Sequence, residues 1–200
     1  MTGSDPVTHM LAVPGARLYY ERRGTGPLLL MIGSPMDSTG FADLASALAG
    51  GYTVVTYDPR GTGNSSREGP GSDVTPGQQA DDVHRLLSVL GGEPAYVFGS
   101  SGGAVVGLAL VTAHARQVRT LVAHEPPVVE LLPDHAQLRA EIQDIYDTWR
   151  ADGADKAMGS SWLMPAWAAD PAPKRTHRAG NPRRSRSPGC GRRPRCSLPT

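Results

Sequence analysis

Cysteine is almost absent from this chain: 200 residues contain two, Cys190 and Cys196, both close to the C-terminus. The long stretch before them therefore has neither a disulfide framework nor a thiolate metal site, which fits a reducing compartment. Aromatic residues are also scarce, at 6%. No apolar run approaches the length needed to span a membrane. The opening segment MTGSDPVTHMLAVPG has no basic n-region and no continuous apolar stretch, so it does not read as a secretory leader. The expectation is a cytoplasmic chain that takes no metal and makes no membrane contact.

Acidic residues stop at Asp170. Residues 1–170 hold eleven basic and nineteen acidic residues, a formal −8, whereas 171–200 hold eight Arg, one Lys and no acid, a formal +9. The overall +1 hides two different materials.

The first of them has alternating elements. Ala16 to Arg22 alternates as a strand, and Leu28-Leu29-Leu30-Met31-Ile32 is a continuous apolar run of the kind found in a sheet covered on both faces. A helix is expected from about Ser38 to Ala49, with a strand from Tyr52 to Tyr57 after it. Thr75-Pro76-Gly77-Gln78 has the form of a capping box with proline at the first helical position. Val83, Leu86, Leu87 and Leu90 give that helix its buried stripe, and Gly91-Gly92 stops it. Pro94 to Phe98 is a strand, Ala104 to Ala113 a helix apolar on nearly every side, and Val118 to Ala123 a further strand. Leu138, Ile142, Ile145 and Trp149 fall at helical spacing from His135 to about Arg150. The order predicts an α/β fold with a mostly parallel sheet and helices on both faces.

Between the strand ending at Phe98 and the apolar helix lies Gly99-Ser100-Ser101-Gly102-Gly103. A floppy linker would not be gripped by two buried elements. The segment satisfies G-x-S-x-G, a strained strand-to-helix turn that lifts one serine clear of the sheet edge. That serine is Ser101; Ser100 occupies the variable position and receives no role.

Four ordered features, LLLMIGSP, YDPRGTGNS, VFGSSGG and VAHEPP, give the chain its resemblance to the α/β-hydrolase superfamily, from about Leu18 to Trp149. The resemblance implies a sheet incomplete at its C-terminal end and a serine nucleophile, Ser101. It implies an oxyanion held by the backbone N–H groups of Ser34 and Gly102. Family members often carry histidine before the first glycine of the oxyanion loop, where this chain has Ile32. Asp58 and Arg60 match the family's D-x-R-G-x-G-x-S segment and are assigned to organising a loop. Gly61-x-Gly63 does not read as a dinucleotide loop, because the glycines do not follow the strand directly and Ser66 stands at the third glycine position, so no cofactor is expected.

A nucleophilic serine needs a base, and the base an orienting acid. Glu125, just past a strand on the carboxyl edge, is the candidate acid; its other reading is a solvated carboxylate beside Pro126-Pro127. The base is unassigned. His177 follows the ordered pattern in sequence but sits in a coreless segment. His124 adjoins Glu125, yet neighbouring strand residues point to opposite faces. His84 and His114 fall on helices, and His9 and His135 on expected surface, where structural roles suffice.

Two readings of the Arg-rich tail stay open. It lacks an aromatic to stack a base and a helical period to lie on lipid, so nucleic acid is not expected as a partner. Out-of-frame translation of GC-rich coding sequence gives the same Arg, Pro, Gly, Ala and Ser content, and regrouping the codons of Trp162-Leu163-Met164-Pro165-Ala166-Trp167 yields material suited to a helix. The domain expectation is a hydrolase core over 1–130, the start of a helical lid over 131–159, and a tail over 160–200, truncated or frameshifted after about residue 159. The expected function is serine hydrolysis of a small ester-like or amide-like molecule through an acyl-enzyme. Perhydrolase or carbon–carbon bond hydrolase chemistry of the same family is one alternative, and an inactive remnant or binding scaffold is another.

Overall fold

The computed structural model describes residues 5–69, 73–91 and 94–159. The Arg-rich segment from 160 onward, with His177, both cysteines and the Trp162–Trp167 stretch, lies outside the described residues. The chain divides into two compact units, residues 1–140 and 141–200. All described strands belong to the first unit. In the second, the described residues form the later turns of helix α4 (His135–Asp152) and the short helix α5 (Ala154–Gly159).

The first unit is built on one sheet. Strands β1 (Val7–Val13) and β2 (Ala16–Arg23) form an antiparallel hairpin that pairs Val13 with Ala16 and Val7 with Arg22. Gly15 closes it at φ 70°, a backbone conformation that costs a glycine little. Beyond β2 lie β4 (Thr53–Tyr57), β3 (Leu28–Ile32), β6 (Ala95–Ser100) and β7 (Val118–His124), in that spatial order, and these four are parallel. The two-residue β5 (Ser66–Arg67) pairs antiparallel with the first two residues of β2, Ala16 and Arg17, on the edge away from β1. The hairpin's first strand was not expected from the sequence, and only Val13 of its seven residues is buried. Backbone pairing and the Pro14-Gly15 turn specify this strand, in place of an apolar stripe.

Alternation along the covered strands divides their side chains between two layers. Leu30 and Ile32 pack with Val55, Val97, Val83, Leu86, Leu87, Val106 and Leu110 beneath helices α2 (Pro76–Leu90) and α3 (Gly102–His114). Leu29 and Met31 pack with Phe41, Ala45 and Val54 on the opposite face, where helix α1 (Ala42–Leu48) lies. A 3-10 turn, Ser38–Phe41, leads into α1, so the expected helix from Ser38 begins as that tighter turn. Thr75 accepts the Gln78 N–H at 3.1 Å and caps α2 as its sequence requires.

Strand order places the site. From β3 the chain moves outward to β4, then returns to the other side of β3 as β6. The loops leaving β3 and β6 therefore part toward opposite faces, and their divergence opens the crevice at the carboxyl edge where sheets of this kind receive ligands.

Candidate active site

The turn between β6 and α3 stands at that crevice. A Cβ added to Gly99 would lie 2.5 Å from the Gly103 carbonyl oxygen, and one on Gly103 would lie 2.0 Å from the Ile32 carbonyl oxygen. Both positions face backbone, which has no flexible end to move aside, so strand and helix meet this closely only through glycine. Ser101 occupies the apex at φ 54° and ψ −123°, with its side chain in the exposed class. Its N–H donates to the His124 carbonyl at 2.9 Å, fixing the apex to the neighbouring strand. Glu125, the first residue past β7, sits at φ 49°. Among the described residues, Ser101 and Glu125 are the two non-glycine positions with positive φ. Such conformations cost on the order of 1–3 kcal/mol each and persist where surrounding structure enforces them.

Ser34 and Gly102 lie close together. A Cβ on Gly102 would fall 2.5 Å from the Ser34 carbonyl oxygen and 3.2 Å from the Ser34 Cβ. Gly102 opens α3, so its N–H is among those a helix leaves without an internal acceptor. Among the described residues, no acceptor is bonded to the Ser34 N–H.

The histidines are distributed differently. His124 is hydrogen-bonded not to Ser101 but to Ser100, with Oγ and Nδ1 3.2 Å apart, and its ring stacks on Phe98. Read from sequence alone, Ser100 has no role and His124 no partner. A β-bulge explains the gap: the β6–β7 register slips between Ala95 and Tyr96, which brings Ser100 opposite His124 and not opposite Ala123. Residues aligned in parallel strands project to the same face. His84 and His114 do have structural roles, their rings stacked 3.9 Å apart between α2 and α3, with Gln117 at 2.8 Å from His84 and Asp81 at 3.3 Å from His114. His9 stacks on Tyr20. Among the described residues, no imidazole is hydrogen-bonded to the Ser101 hydroxyl, and no side chain pairs with Glu125.

The loop after β4 behaves otherwise. Arg60 grips Asp82 of α2 through two hydrogen bonds, 2.7 Å from Nε and 2.5 Å from Nη2, and both side chains are buried. Asp58 is 1% exposed and accepts from the Ser38 N–H at 2.8 Å, the Asn64 N–H at 2.7 Å and the Asn64 side-chain amide at 3.2 Å. The two residues organise loops, as read from the sequence. Tyr57, next to Asp58, buries a hydroxyl that has no partner among the described residues. Burial pushes its phenol above the usual range, and the Asp82 carboxylate adds to the shift.

Comparison with known proteins resolves the lineage. The family model described as the alpha/beta hydrolase fold matches residues 26–187. The chain belongs to the α/β-hydrolase fold family. Within that family it is similar to the uncharacterized hydrolase YraK of Bacillus subtilis (strain 168), 41% identical over 145 residues that cover 71% of this chain and 54% of the relative. It is also similar to the zearalenone hydrolase of Cladophialophora bantiana, 31% identical over 132 residues, or 64% of this chain and 49% of the relative. A solved hydrolase from Pseudomonas aeruginosa PA01 superposes with a TM-score of 0.59 at 29% identity, covering 70% of this chain and 52% of that one. The chain spans about half the length of the curated relatives it matches. The α/β-hydrolase match takes in β3 to β7 and with them Ser34, Asp58, Ser101, Gly102 and Glu125. Among the described residues, no helix of this α/β-hydrolase chain is long and apolar enough to cross a membrane.

Proposed function

We propose that this chain is a serine hydrolase of the α/β-hydrolase fold, attacking a small ester-like or amide-like substrate through Ser101. The observation that carries the reading is the backbone of Ser101: a non-glycine residue held at φ 54° on a glycine-walled turn, with its side chain exposed at the sheet's carboxyl edge. In this reading the Ser101 hydroxyl oxygen attacks the carbonyl carbon, and the Ser34 and Gly102 N–H groups receive the developing oxyanion. The leaving group departs with a proton, and water then cleaves the acyl-serine. Glu125 is the acid that orients the base; its own strained backbone one strand away supports that role. The name of one relative makes zearalenone a substrate to include in any screen.

A second reading, a binding scaffold on the same fold, is favoured by the absence of an imidazole partner for Ser101 among the described residues. A fluorophosphonate probe separates the two. Applied to the 200-residue chain and mapped by peptide mass spectrometry, it is expected to modify Ser101, to spare Ser101→Ala and to persist in Ser100→Ala. Label that survives Ser101→Ala and disappears with Ser100→Ala refutes the assignment; an unlabelled chain supports the scaffold.

A further inference from the structure

We propose that Asp58 is a positioning residue: its buried carboxylate holds the Gly33–Ser38 loop, and with it the Ser34 N–H, against the turn that carries Ser101. This rests on the reading of Ser101 as nucleophile and Ser34 as oxyanion donor. The loop lies between two walls. On one side backbone meets backbone, since Cβ atoms at Gly102 and Gly103 would stand 2.5 Å from the Ser34 oxygen and 2.0 Å from the Ile32 oxygen. On the other side stands Asp58, whose Oδ1 accepts the Ser38 N–H at 2.8 Å, at the far end of the same loop.

The carboxylate is itself fixed. Its backbone N–H donates to the Tyr19 carbonyl at 2.9 Å, and its carbonyl accepts the Ser65 hydroxyl at 2.7 Å. Ser65 in turn accepts the Tyr19 N–H at 2.8 Å, so β2 and β4 hold Asp58 from behind. Its second oxygen is taken by both Asn64 donors, and a Cβ on Gly63 would come within 2.4 Å of it, so the carboxylate has no space to turn. No cation neutralises it among the described residues; Arg60, two residues on, is engaged by Asp82. Three N–H donors instead converge on two oxygens, an arrangement only a carboxylate satisfies. An amide presents one acceptor and one donor there, which sets an NH2 group against an N–H and frees the loop or the Asn64 turn.

The test is Asp58→Asn in the full chain. Amide hydrogen exchange is expected to accelerate at Ser34–Ser38 and at Asn64 while staying unchanged in α3. The fluorophosphonate inactivation rate constant at Ser101 is expected to fall by about tenfold or more with little change in the probe's apparent affinity, the loss typical of a misplaced oxyanion donor. Gly63→Ala, which pushes on the same carboxylate, serves as the second variant if Asp58→Asn does not fold. Wild-type exchange in the Ser34–Ser38 segment of a folded variant overturns the proposal, as does exchange that rises equally throughout the sheet. If the parent chain takes no label yet its loop exchange responds to Asp58→Asn, the loop-holding role stands and the serine reading fails.

Discussion

The loops that leave the carboxyl edge of one sheet treat their polar groups in opposite ways. After β4, Asp58, Arg60 and Ser65 are buried and committed to hydrogen bonds. After β6 and β7, Ser101 and Glu125 are exposed, carry strained backbone and have no described side-chain partner. The β4 loop uses its charges to fix geometry; the turns after β6 and β7 leave Ser101 and Glu125 exposed. The difference teaches that a strained turn keeps its shape only where the adjoining loops cannot yield.

Breaking the committed loop has the largest expected effect. Arg60→Ala leaves Asp82 as a buried charge without its cation, and Asp82→Ala strands Arg60. Either loss is expected to cost about 3–5 kcal/mol, read from urea unfolding. The pair joins the β4 loop to α2, so both variants fall together if the ion pair is the cause. The double replacement is expected to cost less than the two single losses added, because it leaves no orphaned charge. Additive losses rule the pairing out as the origin.

Much of this contrast is legible in sequence, for physical reasons that differ by residue. Leu28–Ile32 announces a covered strand because both its faces are buried, and the glycines at 99 and 103 announce a close approach because no other residue fits. Strand β1 is silent because its side chains are mostly exposed and the ladder to β2 does the specifying. The Ser100–His124 contact is hidden by a register slip that no count of residues foresees. Asp58 reads as a loop organiser, but its partner Ser38 lies twenty residues earlier, across a strand and a helix.

The strained turn supplies a smaller test. Glycine adopts φ 54° without the Cβ penalty, so Ser101→Gly is expected to be more stable than Ser101→Ala by about 1 kcal/mol, although glycine ordinarily costs more to order than alanine. Both variants lose the probe label. Chemical unfolding of the two side by side decides the matter. Equal stability, or alanine the more stable, shows that the backbone of Ser101 is not strained and removes its contrast with the β4 loop.

Tyr57, the last residue of β4, is the exception beside the committed loop and gives the smallest effect. It adjoins Asp58, is fully enclosed, and buries a hydroxyl that no described group satisfies. Tyr57→Phe keeps the ring and deletes that hydroxyl, so it is expected to be neutral or stabilising by up to about 1 kcal/mol near neutral pH. The pH dependence fixes the sign independently. Burial raises the folded-state pKa of this phenol above its ordinary value of 10.0, so its protonated form is favoured in the folded chain. Its linked contribution is fully present below that ordinary value and is lost as pH climbs from there toward the raised one. The parent is therefore expected to lose stability more steeply than Tyr57→Phe in alkaline solution. Tyr19, also pushed up to about 12 by burial and by its hydrogen bond to Glu21, keeps part of the slope in both proteins. Unfolding curves taken from pH 8 to pH 11 separate the two residues: a slope unchanged by Tyr57→Phe means the phenol ionises with similar ease in both states, and a clear loss at neutral pH means the hydroxyl has a bonded partner after all.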